Sequence, residues 1–137
     1  MPDVITEAEP KKQMPADGDI IMAYIPDEIV YLEETGDYRA HKGIDITTEK
    51  NGAYAIKDGT VVDVYYDIND NFVVKIDHGD YISLYRNLHV GPDIIIGKNV
   101  EKGENIGKGT TNEKGEEYIH FEVIKDGVNC DPLEFFE

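Results

Sequence analysis

FVVKIDHGDYISLYRNL, residues 72–88, is the stretch that most clearly predicts the fold of this chain. Two runs rich in β-branched and aromatic residues lie on either side of the turn sequence DHGD, residues 77–80. Such runs favour strands, and a short turn containing Asp and Gly joins neighbouring strands as an antiparallel hairpin. The stretch therefore predicts a β-hairpin.

Segments of the same kind occur along most of the chain, separated by Gly, Asn and Asp. The turn sequence INDN, residues 68–71, precedes the first run and predicts a second hairpin. No segment offers ten residues of helical periodicity with caps. Short strands with turns between them predict an all-β domain built on an antiparallel sheet. The predicted strands are IIMAY (20–24), EIVYL (28–32), TVVDVYYDI (60–68), NFVVKID (71–77), YISLYRNL (81–88) and YIHFEVI (118–124).

The domain boundary and several function classes follow from composition. Residues 1–18 contain three prolines and no periodicity, so we predict a flexible lead-in over 1–18 and a β domain over 19–137. The net charge of −16 repels phosphates, which excludes nucleic acid and anionic lipid as partners but suits a basic protein. Cys130 is the single cysteine and cannot form an intramolecular disulfide. No apolar run approaches the roughly 20 residues of a spanning helix, and no signal peptide begins at Met1, so we expect no membrane contact from this fragment.

Period-2 parity predicts which faces of two strands are polar. In residues 118–124 it buries Ile119, Phe121 and Val123 and places Tyr118, His120 and Glu122 on the opposite face. In residues 81–89 it assigns Ile82, Leu84 and Leu88 to the apolar face and Tyr81, Ser83, Tyr85, Asn87 and His89 to the other. Two polar, ring-bearing rows of this kind are what a groove lined by side chains requires.

Two short motifs, HKGID (41–45) and YIHFEV (118–123), hold the types of residue that bind zinc. His41 and Asp45 would lie roughly 13 Å apart on a flat strand, so the chain must bend between them, and Gly43 permits that bend. His120 would add a third ligand, and three protein ligands with an open position are typical of catalytic zinc. The residues alone also fit a chance HxxxD and an ordinary strand histidine.

The order of five motifs resembles the LytM/lysostaphin-type zinc metallopeptidases over about a hundred residues. The motifs are HKGIDI (41–46), AIKDGTVVDV (55–64), FVVKIDHGDYISLYRNL (72–88), VEKGENIGKG (100–109) and YIHFEVIKDGVNCDPLEF (118–135). The resemblance implies an antiparallel β-sheet groove of the duplicated hybrid motif type with a zinc ion at its floor. It also implies that His41, Asp45 and His120 are the three zinc ligands.

The chain departs from the family pattern at both non-ligand catalytic histidines. Asn87 stands in place of the histidine of the YxHL motif, and Tyr118 in place of the first histidine of HxHFE. An Asn amide does not titrate, and a tyrosine hydroxyl, with an ordinary pKa of about 10, is a poor proton acceptor at neutral pH. Because general acid–base help is worth about 10²–10⁴-fold, we expect a degenerate member, a pseudoenzyme with negligible turnover.

Three other residues are candidates for compensating these losses. His89 follows Asn87 by two positions, and Glu122 shares a face with His120, while His78 resembles a structural position of the family. An offset of two residues displaces a side chain by roughly 6.6 Å along a strand. That is too far to replace a base that must lie within about 3 Å of its proton.

The stretch from residue 14 to residue 45 resembles the sporulation branch of the family. In that branch a LytM-like domain pairs with a protein from the opposite membrane between forespore and mother cell. The resemblance implies an extracytoplasmic domain in a spore-forming bacterium, with a membrane-spanning anchor helix ahead of Met1. It leaves three functions open: a zinc-binding protein-interaction module, an active zinc endopeptidase of peptidoglycan crossbridges, or a regulator of a cell-wall amidase.

Overall fold

The computed structural model describes residues 13–32, 36–49, 52–67, 71–112 and 114–136. Within those ranges the chain forms short strands and one 3₁₀ turn, which confirms the predicted all-β class. The strands are β1 Ile20–Met22, β2 Ile25–Leu32, β3 Asp37–His41, β4 Ile44–Thr47, β5 Ala53–Tyr54, β6 Gly59–Tyr66, β7 Phe72–Asp77, β8 Ile82–His89, β9 Asn99–Val100, β10 Asn105–Thr111, β11 Glu117–Lys125 and β12 Val128–Cys130, and the 3₁₀ turn is Pro132–Phe135.

Most of these strands belong to one large antiparallel sheet. Its order is β9-β6-β7-β8-β10-β11-β4-β1, with β5 paired to β10 and β12 paired to β11. β8 pairs with β11 along its first half and with β10 along its second. β2 and β3 pair with each other as a separate two-stranded ribbon. This arrangement is the predicted antiparallel sheet, whereas the separate ribbon was not predicted.

The hairpin predicted from residues 72–88 is present as β7 and β8. His78 N donates to Tyr81 O at 2.9 Å, and Gly79 takes a positive φ of 102° that an L side chain would resist. The hairpin predicted at 68–71 has its tip, residues 68–70, outside the described residues. Below that tip, Asp67 N donates to Asn71 O at 2.9 Å.

The core lies on one face of the large sheet and includes the predicted apolar face of β11. Ile119, Phe121 and Val123 are fully buried there, and the Tyr85 ring meets that of Phe121 edge-on at 4.9 Å between centroids. Tyr118, His120 and Glu122 lie on the opposite face of the strand, where they line two cavities. The parity predicted for this strand is therefore confirmed.

The parity predicted for β8 is wrong before Asn87. Tyr85 belongs to the core with no exposed surface, although the alternation placed it on the polar face. Between the pairs Phe72–Leu88 and Val74–Tyr85, β8 advances one residue more than β7 does, and Asn87 has a φ of 68°. The extra residue is a β-bulge, which reverses the alternation so that Tyr85 and Leu88 both reach the core.

The predicted lead-in, residues 1–18, overlaps the described residues only from Gln13 onward. Ala16 is buried and forms an isolated antiparallel bridge with Ala53. The Asp17 carboxylate accepts from Glu49 N at 2.7 Å. Residues 13–18 therefore contact the β domain, and residues 1–12 lie outside the described part of the chain.

Candidate metal centre

Three potential metal ligands meet where the ribbon joins the large sheet. His41 is the last residue of β3, Asp45 lies in β4, and His120 lies in β11 directly opposite Asp45. One ligand atom from each lies within 4.8 Å of the other two, and all three residues are buried. We call these residues the ligand cluster.

Gly43 makes this meeting possible by close approach to β11. A Cβ atom at this position would lie 2.1 Å from Phe121 O and 2.8 Å from Glu122 Cγ. The chain therefore passes from β3 to β4 directly against the backbone of β11. His41 and Asp45 consequently belong to different sheets, which removes the separation expected on one flat strand.

The hydrogen bonds of the two imidazole rings show which nitrogen of each ring carries its proton. His41 Nδ1 lies 2.7 Å from Ala23 O, and His120 Nε2 lies 2.8 Å from Glu122 Oε2. A carbonyl and a carboxylate only accept hydrogen bonds, so both of these outer nitrogens are donors. The inner nitrogens, His41 Nε2 and His120 Nδ1, face the same Asp45 Oδ1 at 3.2 Å and 2.8 Å.

This pattern fits a cation bound between the rings. With both rings neutral, each inner nitrogen carries a lone pair, so three electron-rich atoms converge on one point. A metal ion there would coordinate all three, while the outer N–H groups stay on their acceptors. Outer partners of that kind orient metal-ligating histidines in proteins. The donor set of two imidazoles and one carboxylate suits zinc.

Glu122 is a functional candidate through its contact with His120. Its second oxygen accepts from Asn129 Nδ2 at 2.8 Å, and the same amide group donates to Lys42 O at 3.2 Å. The carboxylate is thus fixed from both sides. The sequence placed Glu122 on the same face as His120 as a possible base, but gave no sign that Asn129 would hold it.

Both buried carboxylates of the site are ionised. Burial alone would raise the pKa of Asp45, but in the metal-free site the hydrogen bonds and positive charge that His120 and His41 supply when protonated outweigh it and hold that pKa below its usual value. A metal cation bound among the neutral rings would favour the ionised carboxylate in the same way. Burial also opposes ionisation of Glu122. The hydrogen bond and charge of His120, helped by Asn129, outweigh it and lower the pKa of Glu122. Both groups are therefore acceptors at neutral pH.

The side chain of Asn87 makes a separate set of hydrogen bonds at the point where β8 changes its pairing partner from β11 to β10. Its Nδ2 donates to Tyr118 O at 3.0 Å and Thr110 O at 3.3 Å, and its Oδ1 accepts from Asn71 Nδ2 at 3.0 Å. Thr110 Oγ1 in turn donates to Asn87 O at 3.0 Å. We call Asn71, Asn87 and Thr110 the junction cluster. Its amide and hydroxyl groups bond one another and the backbone.

Two cavities flank the ligand cluster. The first, which we call the basic cavity, has a volume of about 360 Å³ and is lined by Arg39, His41, Lys42, Arg86, His120 and Glu122 among others. The second, which we call the mixed cavity, has a volume of about 290 Å³, and its lining combines apolar side chains such as Ile21 and Met22 with the polar side chains of Asp45, Asn112, Lys114, Glu116 and Tyr118. Tyr118 therefore borders the site on the side of Asp45. Together the cavities open the site to both sides.

The two remaining histidines lie outside both cavities. His89 ends β8 with an exposed side chain, opposite Lys108. His78 Nδ1 lies 3.0 Å from Asp58 O, and its Nε2 lies 2.8 Å from Ser83 Oγ. Burial lowers the pKa of His78, although the hydrogen bond to Asp58 O opposes the change. Neither ring is placed to act on a group at the ligand cluster.

Known proteins match this chain in family and in fold. The family model described as Peptidase family M23 matches residues 39–132. Curated proteins compared by sequence give no match. Within the described residues, no helix is long and apolar enough to cross a membrane.

Solved structures of similar fold include both a complex-forming protein and peptidases. A chain of the SpoIIQ–SpoIIIAH pore-forming complex gives a TM-score of 0.74 at 25% identity, covering 92% of this chain and 90% of that one. Lysostaphin, the antimicrobial peptidase of Staphylococcus simulans, gives 0.70 at 18% identity over 93% of this chain and 55% of that one. A zinc-containing peptidase from Vibrio cholerae gives 0.67 at 24% identity, over 87% and 38%. The two peptidases are similar in fold alone.

Proposed function

Because this chain belongs to peptidase family M23, we propose that it is a degenerate member that holds zinc and acts as a protein-interaction module. His41, Asp45 and His120 would hold the ion. The proposed setting is extracytoplasmic, in a membrane-anchored protein of sporulation. The proposed partner is a protein similar to SpoIIIAH, which is the protein joined with SpoIIQ in the similar complex.

One observation carries the metal half of the proposal. The outer nitrogen of each histidine already has an acceptor, Ala23 O or Glu122 Oε2, and the inner nitrogens face one carboxylate oxygen. A cation placed among these inner atoms would be coordinated by both imidazole nitrogens and the carboxylate. Zinc would complete the coordination without a change in the outer hydrogen bonds.

The absence of turnover rests on the junction cluster. Zinc, when bound, lowers the pKa of a coordinated water and so supplies a nucleophile. A peptidase also needs a group to accept and pass on protons. The side chain at position 87 is an amide that cannot titrate, and its hydrogen bonds hold it in the strand junction.

The interaction half rests on exposed apolar side chains of the ribbon. Ile29, Tyr31 and Tyr38 are 70%, 52% and 71% exposed, and the two tyrosine rings meet edge-on with 5.2 Å between centroids. Contiguous apolar groups on a soluble surface are typical of a protein contact. We call these three residues the ribbon patch and propose that it contributes to partner binding.

Zinc analysis and a hydrolysis assay test the first half. Protein purified without chelator should contain about one zinc per chain, as a single cluster of three ligands implies. It should release no fragments from purified peptidoglycan. Hydrolysis by the unmodified chain would overturn the pseudoenzyme assignment, and a chain that stays metal-free after zinc addition would overturn the ligand assignment. The double variant Asn87→His with Tyr118→His tests whether those two positions account for the missing activity.

Binding to the soluble part of SpoIIIAH tests the second half. Ile29→Asp and Tyr38→Asp should each weaken capture of that probe. Ile96→Asp is the matched control, because Ile96 is 64% exposed but lies in the loop before β9, outside the ribbon. Equal weakening by the control variant, or full binding by both ribbon variants, would count against the ribbon patch.

A further inference from the structure

The basic cavity concentrates positive charge in a strongly acidic chain. Asp and Glu outnumber Lys and Arg by 29 to 13 in the whole sequence. Yet Arg39, Lys42 and Arg86 all line this one cavity, and Glu122 is the single carboxylate residue among its lining residues. A reversal of charge confined to one cavity indicates an anionic ligand.

We infer that the basic cavity binds a carboxylate group of a peptide, with the Arg86 guanidinium as its principal contact. The inference rests on the proposed function, since His41 and His120 line the same cavity. It adds the class of ligand that the degenerate site receives.

Arg86 is the cation with unused hydrogen-bonding capacity. Its Nε is buried and has no hydrogen-bond partner among the described residues. Arg39, by contrast, makes two hydrogen bonds to Asp37, at 2.9 Å and 2.6 Å. The oxygens of Glu122 accept from His120 and Asn129. Because the Arg86 Nε has almost no accessible surface, a ligand in the cavity would meet the outer end of the guanidinium, where the Nη groups hold the remaining N–H donors.

The shape of the guanidinium selects a carboxylate. Its two Nη groups each hold an N–H along the outer edge of the guanidinium, and a carboxylate accepts one from each in a two-pronged contact. Arg86 is also the direct cross-strand neighbour of His120 in the β8–β11 pair. A carboxylate held by Arg86 would therefore lie beside the ligand cluster rather than at a remote surface.

The second cavity indicates that the carboxylate belongs to a peptide. The mixed cavity lies on the Asp45 side of the ligand cluster, and one part of its lining is apolar, formed by Ile21, Met22 and the ring of Tyr31. A peptide crossing the site could place its carboxylate in the basic cavity and an apolar side chain in the other. A polyanion such as nucleic acid would instead meet the repulsion of a chain with net charge −16.

Peptide titrations followed by NMR test the inference. The probes are N-acetyl-tetraalanine with a free C-terminal carboxylate, its C-terminal amide, and an amidated peptide with one glutamate. For the unmodified chain, the free carboxylate should bind at least about tenfold more tightly than the amide, as one charge-assisted contact implies. Tight binding of the amidated glutamate peptide would assign the site to an acidic side chain, whereas weak binding would assign it to the chain terminus. Equal binding of all three probes, or no binding, would overturn the inference.

Variants of Arg86 attribute the preference to its guanidinium. R86Q should abolish the preference for a carboxylate probe, and R86K, which keeps the charge without the fork, should retain part of it. K108Q is the matched control, because Lys108 is exposed on β10 opposite His89 and lines neither cavity. Backbone NMR spectra of each variant report whether the fold is kept. If R86Q and R86K both misfold, the titration of the unmodified chain decides. NMR shift changes confined to the basic cavity would support the inference, and shift changes far from β8 would overturn it.

Titrations with zinc and with chelator separate this inference from the metal assignment. A carboxylate preference that persists in chelated protein and disappears in R86Q supports the Arg86 site, even if no zinc binds. A preference that requires zinc and survives in R86Q would mean that the carboxylate binds the metal. That result would overturn the present inference and leave the proposed function standing.

Discussion

The ligand cluster and the junction cluster both consist of polar groups, and β8 and β10 of the junction cluster pair with β11 of the ligand cluster, but the two differ in how their atoms are matched. In the junction cluster, donors of Asn87 and Thr110 meet carbonyl and amide oxygens, so every contact joins a donor to an acceptor. In the ligand cluster, two inner imidazole nitrogens face one carboxylate oxygen. The first set is complete within the protein, whereas the second needs a cation. We infer that the first is structural and the second binds a ligand.

Removal of a ligand should have the largest effect. His120→Ala deletes one of three ligand atoms, so its zinc affinity should fall by more than the about 10–100-fold typical of an outer partner. Competition with a chromophoric zinc chelator measures the affinity. Asn87→Ala, on the same sheet but outside the ligand cluster, should keep the affinity of the unmodified chain. If both variants lose zinc equally, the distinction between the clusters fails.

Loss of the outer partner should have a smaller effect on the same quantity. Glu122→Gln keeps the size of the side chain but removes the charge that accepts from His120 Nε2. Zinc affinity should fall by about 10–100-fold, the usual cost of an outer-partner change. Glu104→Gln, half-buried in an ion pair with Lys98 and outside the ligand cluster, is a charge-matched control and should leave affinity unchanged. An unchanged affinity in Glu122→Gln would mean that Glu122 does not orient the ring.

Substitutions in the junction cluster should lower the free energy of unfolding and leave the zinc affinity unchanged. Asn87→Ala removes three side-chain hydrogen bonds. It also places alanine, whose methyl group makes no local hydrogen bond, at a φ of 68°. We expect a loss of about 2 kcal/mol in the free energy of unfolding. Asn87→Gly permits the backbone angle but not the hydrogen bonds, so its loss should be smaller. Urea denaturation of metal-free protein measures both.

Equal losses in those two variants would show that the backbone angle is not strained. In that case the hydrogen bonds of the amide would carry the whole effect, because both substitutions remove them equally. Equal stability of the unmodified chain and both variants would contradict the structural role of the junction cluster. The contrast between a structural junction cluster and a ligand-binding cluster would then no longer hold.

The sequence predicted the strands and the core face of β11, because both depend on local periodicity. Residues 118–124 alternate without interruption, so Phe121 and His120 could be assigned to opposite faces. The bulge at Arg86–Asn87 could not be predicted, because one extra residue reverses the alternation and leaves no mark in composition. It was for this reason that Tyr85 was assigned to the wrong face.

The candidate site depended on more than local pattern. Spacing alone placed His41 and Asp45 far apart, and only the family resemblance joined them with His120. Their meeting follows from the approach of Gly43 to Phe121 O, a contact between residues distant in sequence. The roles of Ala23 O and Asn129 could not be predicted either, since both depend on how separate strands pack around the rings. Zinc binding itself stays a prediction.

His78 offers the smallest test, as a third histidine whose contacts are matched. Its Nδ1 donates to Asp58 O, so its Nε2 accepts from Ser83 Oγ, and the neutral ring is satisfied on both sides. Burial lowers its pKa below the ordinary 6.5, so on acidification the unfolded chain takes up a proton before the folded one does. Burial of this ring should therefore lower the free energy of unfolding as the pH falls through 6.5. The free energy of unfolding of the unmodified chain should decline more steeply between neutral and acidic pH than that of His78→Asn, when both are measured without metal. Parallel pH profiles would mean that this ring is not held in its neutral form, and the contrast between matched and unmatched histidines would then rest on the ligand cluster alone.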